Sequence, residues 1–380
     1  MKKTVFLLFS TVTLRRLAIS LLALFSPLFI FQLLASHGQL VRQPLLGVAF
    51  YFLFFYLIKI LFFPLAERTA FKFGFKWSIF CSIFPFFFYI VFLILSSRNL
   101  VFLIPASFFG GFQAAFFWFG YHGLFVKFGD EKLFGFQAGL SQILGFLSLL
   151  LAPLLGSFLV LNWGFDSLFL VAFLLSCISV VIILISPLIK PYHRASLKKC
   201  FFLFKTHRRV TSAYLGWGGE ATLYAVFWPI FLILIFDDIL IFGGIIFGSV
   251  LLTSLLVYLI GRMVDKMASG KIIRLGVLLG VFSWLVRIIA RLPLLIIVID
   301  GFYRLAEQMF AIPMDVFSYR KAREGGTCQA LFFREISLNL GAILFLVLAV
   351  LAFWLSLSLW FVFLIALLGT LGPFLIIRKV

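Results

Sequence analysis

The sequence is short of charge, and shorter still of negative charge. Of 380 residues only 12% are charged, with 13 Asp and Glu against 32 Lys and Arg. Soluble domains carry about 25% charged residues, so 64% hydrophobic content and a mean hydropathy of +1.20 exclude that class. The four cysteines, Cys81, Cys177, Cys200 and Cys328, form no CxxC pair and no Cys/His cluster. Neither a disulfide scaffold nor a metal site is indicated. None of the four histidines belongs to an HExxH, and Gly270-Lys271 lacks the spacing and the Ser/Thr of a phosphate loop. A membrane-embedded enzyme such as a lipid transferase would need a nucleophile, base or metal constellation that is missing, so the chain reads as a non-enzyme without a cofactor. The formal charge of +19 does not point to nucleic acid, because no soluble stretch interleaves basic and aromatic residues.

What the sequence has is apolar length. Windows able to cross a bilayer, about 20 residues each, fall at 17–36, 45–63, 77–97, 100–126, 133–161 and 165–186. They continue at 212–236, 239–260, 272–290, 292–317, 329–353 and 355–377. This predicts an all-α membrane protein with twelve transmembrane helices in two six-helix bundles. Lys2-Lys3 and the apolar stretch after them resemble a signal peptide but lack a small-residue cleavage site and end in Arg15-Arg16; they read as an uncleaved interfacial segment.

Of the 32 Lys and Arg, 25 fall on the side of both termini, and only Arg42, Arg98, Arg287 and Arg291 on the other. Lys59, Arg304 and Arg334 are left at membrane depth, with Lys59 expected to snorkel outward. The asymmetry predicts a multi-pass protein of the cytoplasmic (plasma) membrane with both termini cytoplasmic. The polar stretch 187–211 divides the chain into a first bundle at 1–189, a linker at 190–211 and a second bundle at 212–380. Its cluster Lys198, Lys199, Lys205, Arg208 and Arg209 suits either contact with anionic membrane lipid or a solvated linker.

A charged turn follows the second span of each half, at 64–76 and 261–271. The second, Gly261-Arg262-Met263-Val264-Asp265-Lys266-Met267-Ala268-Ser269-Gly270-Lys271, resembles the loop motif of the major facilitator superfamily. The first looks like a degraded copy, with Glu67-Arg68 for the acidic and basic positions and a longer insert. In the fifth span, 148–157 with Pro153 and Gly156 is similar to the Gly-Pro motif of antiporters in that superfamily, while the arginine that drug/proton antiporters place in the fourth span is missing from 108–121.

That resemblance implies two bundles rocking about a central cavity lined by spans 1, 4, 7 and 10, with the acid of the loop motif bracing one gate state. It also implies a secondary transporter of a small organic solute; export of an amphipathic or aromatic solute against protons fits better than a sugar. A lipid-handling protein or a non-transporting sensor on the same fold stays open. Polar residues follow the cavity spans: Gln32, Gln113 and His122, then Glu220, then Asp300, Arg304, Glu307 and Gln308, with Arg334-Glu335 on span 11. Asp300, Arg304 and Glu307 share one helix face. A mid-bilayer charge costs about 2.5–3.5 kcal/mol on the insertion scale, so they need partners or water. Counting depth along each span puts Glu220, Glu307 and Glu335 in a layer with Arg304 and Arg334. Such a layer is either a proton-coupling site or a structural ion-pair network. The expected partners are a solute, protons and membrane lipids, with the chain acting as a monomer.

Overall fold

The computed structural model describes the backbone at residues 3–37, 42–128, 134–185, 187–266 and 269–377, and the side chains of these except at 3–12, 128, 134–147, 255, 257–266, 269 and 323–325. Among the described residues, every regular element is a helix. The first half comprises α1 (Lys3–Ala35), α2 (Arg42–Phe73), α3 (Phe75–Cys81), α4 (Ile83–Ser96), α5 (Leu103–Phe128) and α6 (Phe134–Leu184). A short helix, α7 (Leu197–Thr206), lies between the halves. The second half comprises α8 (Arg208–Phe236), α9 (Ile239–Lys266), α10 (Ser269–Arg287), α11 (Pro293–Gly325), α12 (Thr327–Trp354) and α13 (Leu359–Thr370), the last ending in a tight turn at Gly372–Ile376. Among the described residues, eight stretches are long and apolar enough to cross a membrane, one of them running through both α3 and α4. The charges of α11 keep it out of that set.

The expected spans map onto these helices with instructive exceptions. Spans 5 and 6 run together in α6 and part at Gly164, whose φ of 76° is a conformation that a side chain would strain. Span 3 breaks at Ser82, between α3 and α4; Pro85, with no N–H, stands just inside α4. The expected interfacial N-terminal segment is continuous with span 1 in α1, because no helix breaker precedes Pro27. The expected turn at 64–76 shrinks to Gly74 (φ 103°), since α2 absorbs Pro64 and Glu67.

The two halves repeat one packing plan. Span 1 packs on span 5 (α1 on α6) as span 7 packs on span 11 (α8 on α12), and α2 packs on α5 as α9 packs on α11. The pair α8 and α12 approach closely because Gly218 meets the Leu338 carbonyl and Gly341 meets the Leu215 carbonyl, where an added Cβ would sit 2.1 Å from each oxygen. The halves meet along α2 and α12, α6 and α9, and α1 and α8. On the side away from α7, Arg42 donates through Nε to the Phe353 carbonyl at 2.6 Å and through Nη2 to the Trp354 carbonyl. A cation thus caps the C-terminal carbonyls of α12. On the same side Ser157 donates to the Ile239 carbonyl at 2.8 Å, so the span-5 stretch resembling an antiporter motif packs against α9.

Candidate functional site

A cavity of about 490 Å³ lies between the halves and is lined by both. The first half contributes Arg16 from α1, Tyr56 and Lys59 from α2, and Trp118, Tyr121 and His122 from α5. Across from them stand Trp217, Arg304, Glu307, Gln308, Arg334 and Glu335. Lys59 does not snorkel: it is 9% exposed and lies in this cavity, its Nζ 5.6 Å from the Tyr56 ring centre.

The charges of the second half fall into two clusters with one acid between them. In the first, the fully buried Asp300 receives Arg304 Nε at 2.9 Å, one turn along α11, Arg287 Nη2 at 2.6 Å from α10, and the Tyr224 hydroxyl at 2.9 Å from α8. Three donors, two of them charged, offset the desolvation of one carboxylate. The Arg287 guanidinium is itself enclosed by four rings, those of Tyr303, Trp228, Trp284 and Tyr224, at 4.1, 4.2, 4.5 and 5.0 Å. Ring faces stabilise a cation cut off from water.

The second cluster centres on Arg334, which donates to Asp315 on α11 and to its neighbour Glu335. It reaches the first half through His122, whose Nε2 lies 3.4 Å from Arg334 Nη1. Its Nδ1 shares a hydrogen bond with the Tyr319 hydroxyl at 2.9 Å. Glu335 lies 3.4 Å from the same Nε2.

Glu220 lies between the clusters with no exposure. One carboxyl oxygen accepts from Trp284 Nε1 at 3.2 Å and from the Tyr303 hydroxyl; the other, Oε2, has no partner. Among the described residues it is the one buried acid outside any ion pair.

The single layer expected from depth counting is therefore replaced by separate groups. Arg304 faces Asp300 rather than Glu220, Arg334 faces Asp315 and Glu335, and Glu307 lines the cavity half-exposed. Depth along a helix fixes height in the membrane; it leaves the angle around the axis open, and that angle decides partners. Gln308 lines the cavity with its Oε1 unpartnered. Gln113 turns away from it to accept from Arg15 Nη2 at 3.0 Å, and Gln32 is exposed near the end of α1.

Three members escaped the sequence reading. Arg287 looked like an outer-loop charge and is fully buried, and Arg15 looked like an interfacial one and is fully buried beneath the Phe86 and Phe117 rings at 4.4 and 4.9 Å. Asp315 carried no signal beyond being a third acid on α11.

Of the loop-motif residues, Gly261, Arg262, Asp265 and Lys266 have side chains outside the described residues. Gly270 is half-buried against Ile377, and Lys271 and Arg68 are exposed. Glu67 is 2% exposed; it accepts from the Ala195 amide at 2.9 Å and lies 3.7 Å from Arg194 Nη2. A carboxylate thus sits by the start of α7 beside a basic residue, a placement favourable to both.

Sequence comparison with protein families and with curated proteins gives no match. Structure comparison does. A human organic anion transporter superimposes with a TM-score of 0.73 at 14% identity, over 98% of each chain. A bacterial homologue of the iron transporter ferroportin, in an outward-facing state, gives 0.72 at 13% identity over 99% of each. The fucose:proton symporter of E. coli gives 0.69 at 14% identity, covering 99% of this chain and 98% of that one. The chain thus has an all-helical membrane fold, that of transporters of the major facilitator superfamily. It is an integral, multi-pass membrane protein.

Proposed function

We propose that the protein is a secondary transporter that moves a small organic solute across the membrane by alternating exposure of the cavity between its two six-helix halves, 1–189 and 212–380. The observation that carries this reading is the cavity itself. Its volume of about 490 Å³ is in the range of small-ligand sites, and residues of both halves line it. A site shared by two internally repeated bundles changes its exposure when they rock. The lining supports a solute class: Trp118, Tyr121 and Trp217 offer ring faces while Glu307, Arg304 and Arg334 offer charge of both signs, which suits an amphipathic or aromatic solute better than a sugar.

Proton coupling belongs to the same proposal, with Glu220 as the acid, since among the described residues it is the buried acid that enters no ion pair. The direction is export, both termini are cytoplasmic as the Lys/Arg distribution argues, and one chain suffices for the path. The test is counterflow and pH-gradient-driven uptake in proteoliposomes across a panel of aromatic and amphipathic cations, anions and zwitterions. Exchange of at least one solute, accelerated by an opposing proton gradient, supports the proposal in full. A solute that raises the melting temperature yet never exchanges would make the protein a sensor and end the transport reading.

A further inference from the structure

Most of the charges that line the central cavity are matched within the protein. Arg304 is held by Asp300, Arg334 by Asp315 and Glu335, and Arg16 donates to the Tyr121 hydroxyl at 3.4 Å. Two lining charges stand outside these pairs, one on each half. Lys59 of α2 is buried, yet among the described residues it enters no hydrogen bond and no ion pair. Its neighbours are the Tyr56 ring and, through space, Glu335 and Arg334, whose opposite charges are bound to each other. Glu307 of α11 also enters no ion pair among the described residues. Beside it stand the Trp217 indole and, through space, the group formed by Arg287, Asp300 and Arg304. Every side chain of α2 and α12, and of α11 over 293–322, is described.

The roots of both side chains are fixed by close packing of backbones. Helix α5 lies against α2 at Gly111, where an added Cβ would sit 2.3 Å from the Phe55 carbonyl oxygen and 3.0 Å from the Lys59 amide nitrogen. Helix α10 lies against α11 at Gly276, where it would sit 2.8 Å from the carbonyl oxygen of Ala306, the residue before Glu307. Charged groups carried on rigid elements recognise a ligand by position. Rings complete the lining, Trp118 and Tyr121 from the first half and Trp217 from the second.

We infer that this cavity binds an aromatic zwitterion of the amino-acid kind, its carboxylate at Lys59, its ammonium at Glu307 and its ring among Trp118, Tyr121 and Trp217. Charge complementarity selects this occupant. An organic anion would leave Glu307 without a counter-charge, and an organic cation would leave Lys59 without one. Charges at membrane depth are weakly screened, so each mismatch counts against the solute. A sugar would match neither group. A zwitterion touches both halves at once, as a solute carried between them must. The inference rests on the reading of this cavity as the solute site.

The test is ligand-induced stabilisation of the full chain in detergent, read as melting temperature against ligand concentration. The probes are phenylalanine, tyrosine and tryptophan, each set beside the amine that lacks its carboxylate and the acid that lacks its amino group. At least one amino acid is expected to bind about tenfold or more tightly than both of its counterparts, the size of one lost hydrogen bond between charged groups. Lys59→Gln should weaken that amino acid about tenfold and leave the amine as before, while Glu307→Gln should weaken it and leave the acid as before. Both variants should melt like the parent, since neither breaks an ion pair. Stabilisation by none of the amino acids overturns the inference, as does equal or tighter binding of the amine or the acid. These comparisons use the unaltered protein, so they decide even where a variant does not fold. Unchanged affinity for the amino acid in either folded variant has the same force. Counterflow keeps the inference apart from the transport reading. An amino acid that binds in this pattern and never exchanges ends transport and leaves the site, whereas exchange of some other solute alone ends the inference and leaves transport.

Discussion

Asp300 is the residue on which the first of the two buried charge clusters in the second half depends. It holds Arg304 on its own helix and Arg287 from α10, both within hydrogen-bond distance. Asp300→Asn would leave two guanidiniums facing a neutral amide. Breaking a buried pair costs on the order of 3–5 kcal/mol, so this variant should melt much earlier than the parent in a detergent thermal-shift assay. Replacing Arg287 and Asp300 together, by Met and Asn, should recover part of that loss. Glu220 should behave differently. It accepts only from neutral donors, Trp284 and Tyr303, and a glutamine offers an oxygen in the same place. Glu220→Gln should fold and melt within about 1 kcal/mol of the parent, as replacements that keep a hydrogen bond tend to. It should exchange solute in counterflow while ignoring a pH gradient. A pH-gradient response equal to the parent's would remove Glu220 from the coupling step.

Among the elements, α8 and α12 make the tightest approach described. An Ala at position 341 would bring a methyl to 2.1 Å from the Leu215 carbonyl oxygen, and that contact is backbone, with no flexible end to move aside. Gly341→Ala is expected to cost about 1–3 kcal/mol, as overpacking does, whereas an added methyl at Gly244, where nothing lies within 4 Å, should cost little. Elements were also where the sequence was most readable. Twelve apolar windows survive as helices because hydrophobic length is a one-dimensional signal. The helix α7 was missed since it is short, basic and set among polar residues, and Arg15 and Arg287 were missed for a related reason. Each lies near the end of an apolar run, where a lone arginine reads as a flanking loop charge. Their burial depends on partners from other helices, Gln113 for one and, for the other, the rings of Tyr224 and Trp228 on α8 and of Tyr303 on α11.

For the whole molecule, the orientation in the membrane invites a thiol test, and the structure dictates which thiols can serve. Cys200 and Cys328 are 2% and 1% exposed, and burial pushes the Cys200 thiol up to about 11. Reagents need the thiolate, so Cys200 should stay silent from both sides at neutral pH. Tyr192, 83% exposed in the linker, and Ser97, exposed at the opposite end of α4, are the better reporters. In a background with Cys81 and Cys177 replaced by Ser, Ser97→Cys should react with an impermeant maleimide in intact cells. Tyr192→Cys should react only after lysis, and labelling in the reverse order would invert the topology.

The linker's attachment also bears on ionic strength. Consecutive residues are held from opposite halves: Ala195 by Glu67 of α2, and Ser196 by Gln329 of α12. Since α7 remains seated on α12 through Phe204 and Phe333, parting α2 from α12 on this side must first release Glu67. Part of that hold is the attraction of Arg194, whose side chain is 51% exposed at 3.7 Å. Dissolved ions weaken such an exposed pair, with a screening length of about 8 Å at physiological strength and about 3 Å at 1 M. Salt should therefore act as a release agent for this side of the molecule, shortening the time the halves stay clasped, and Glu67→Gln should make the opening rate insensitive to it.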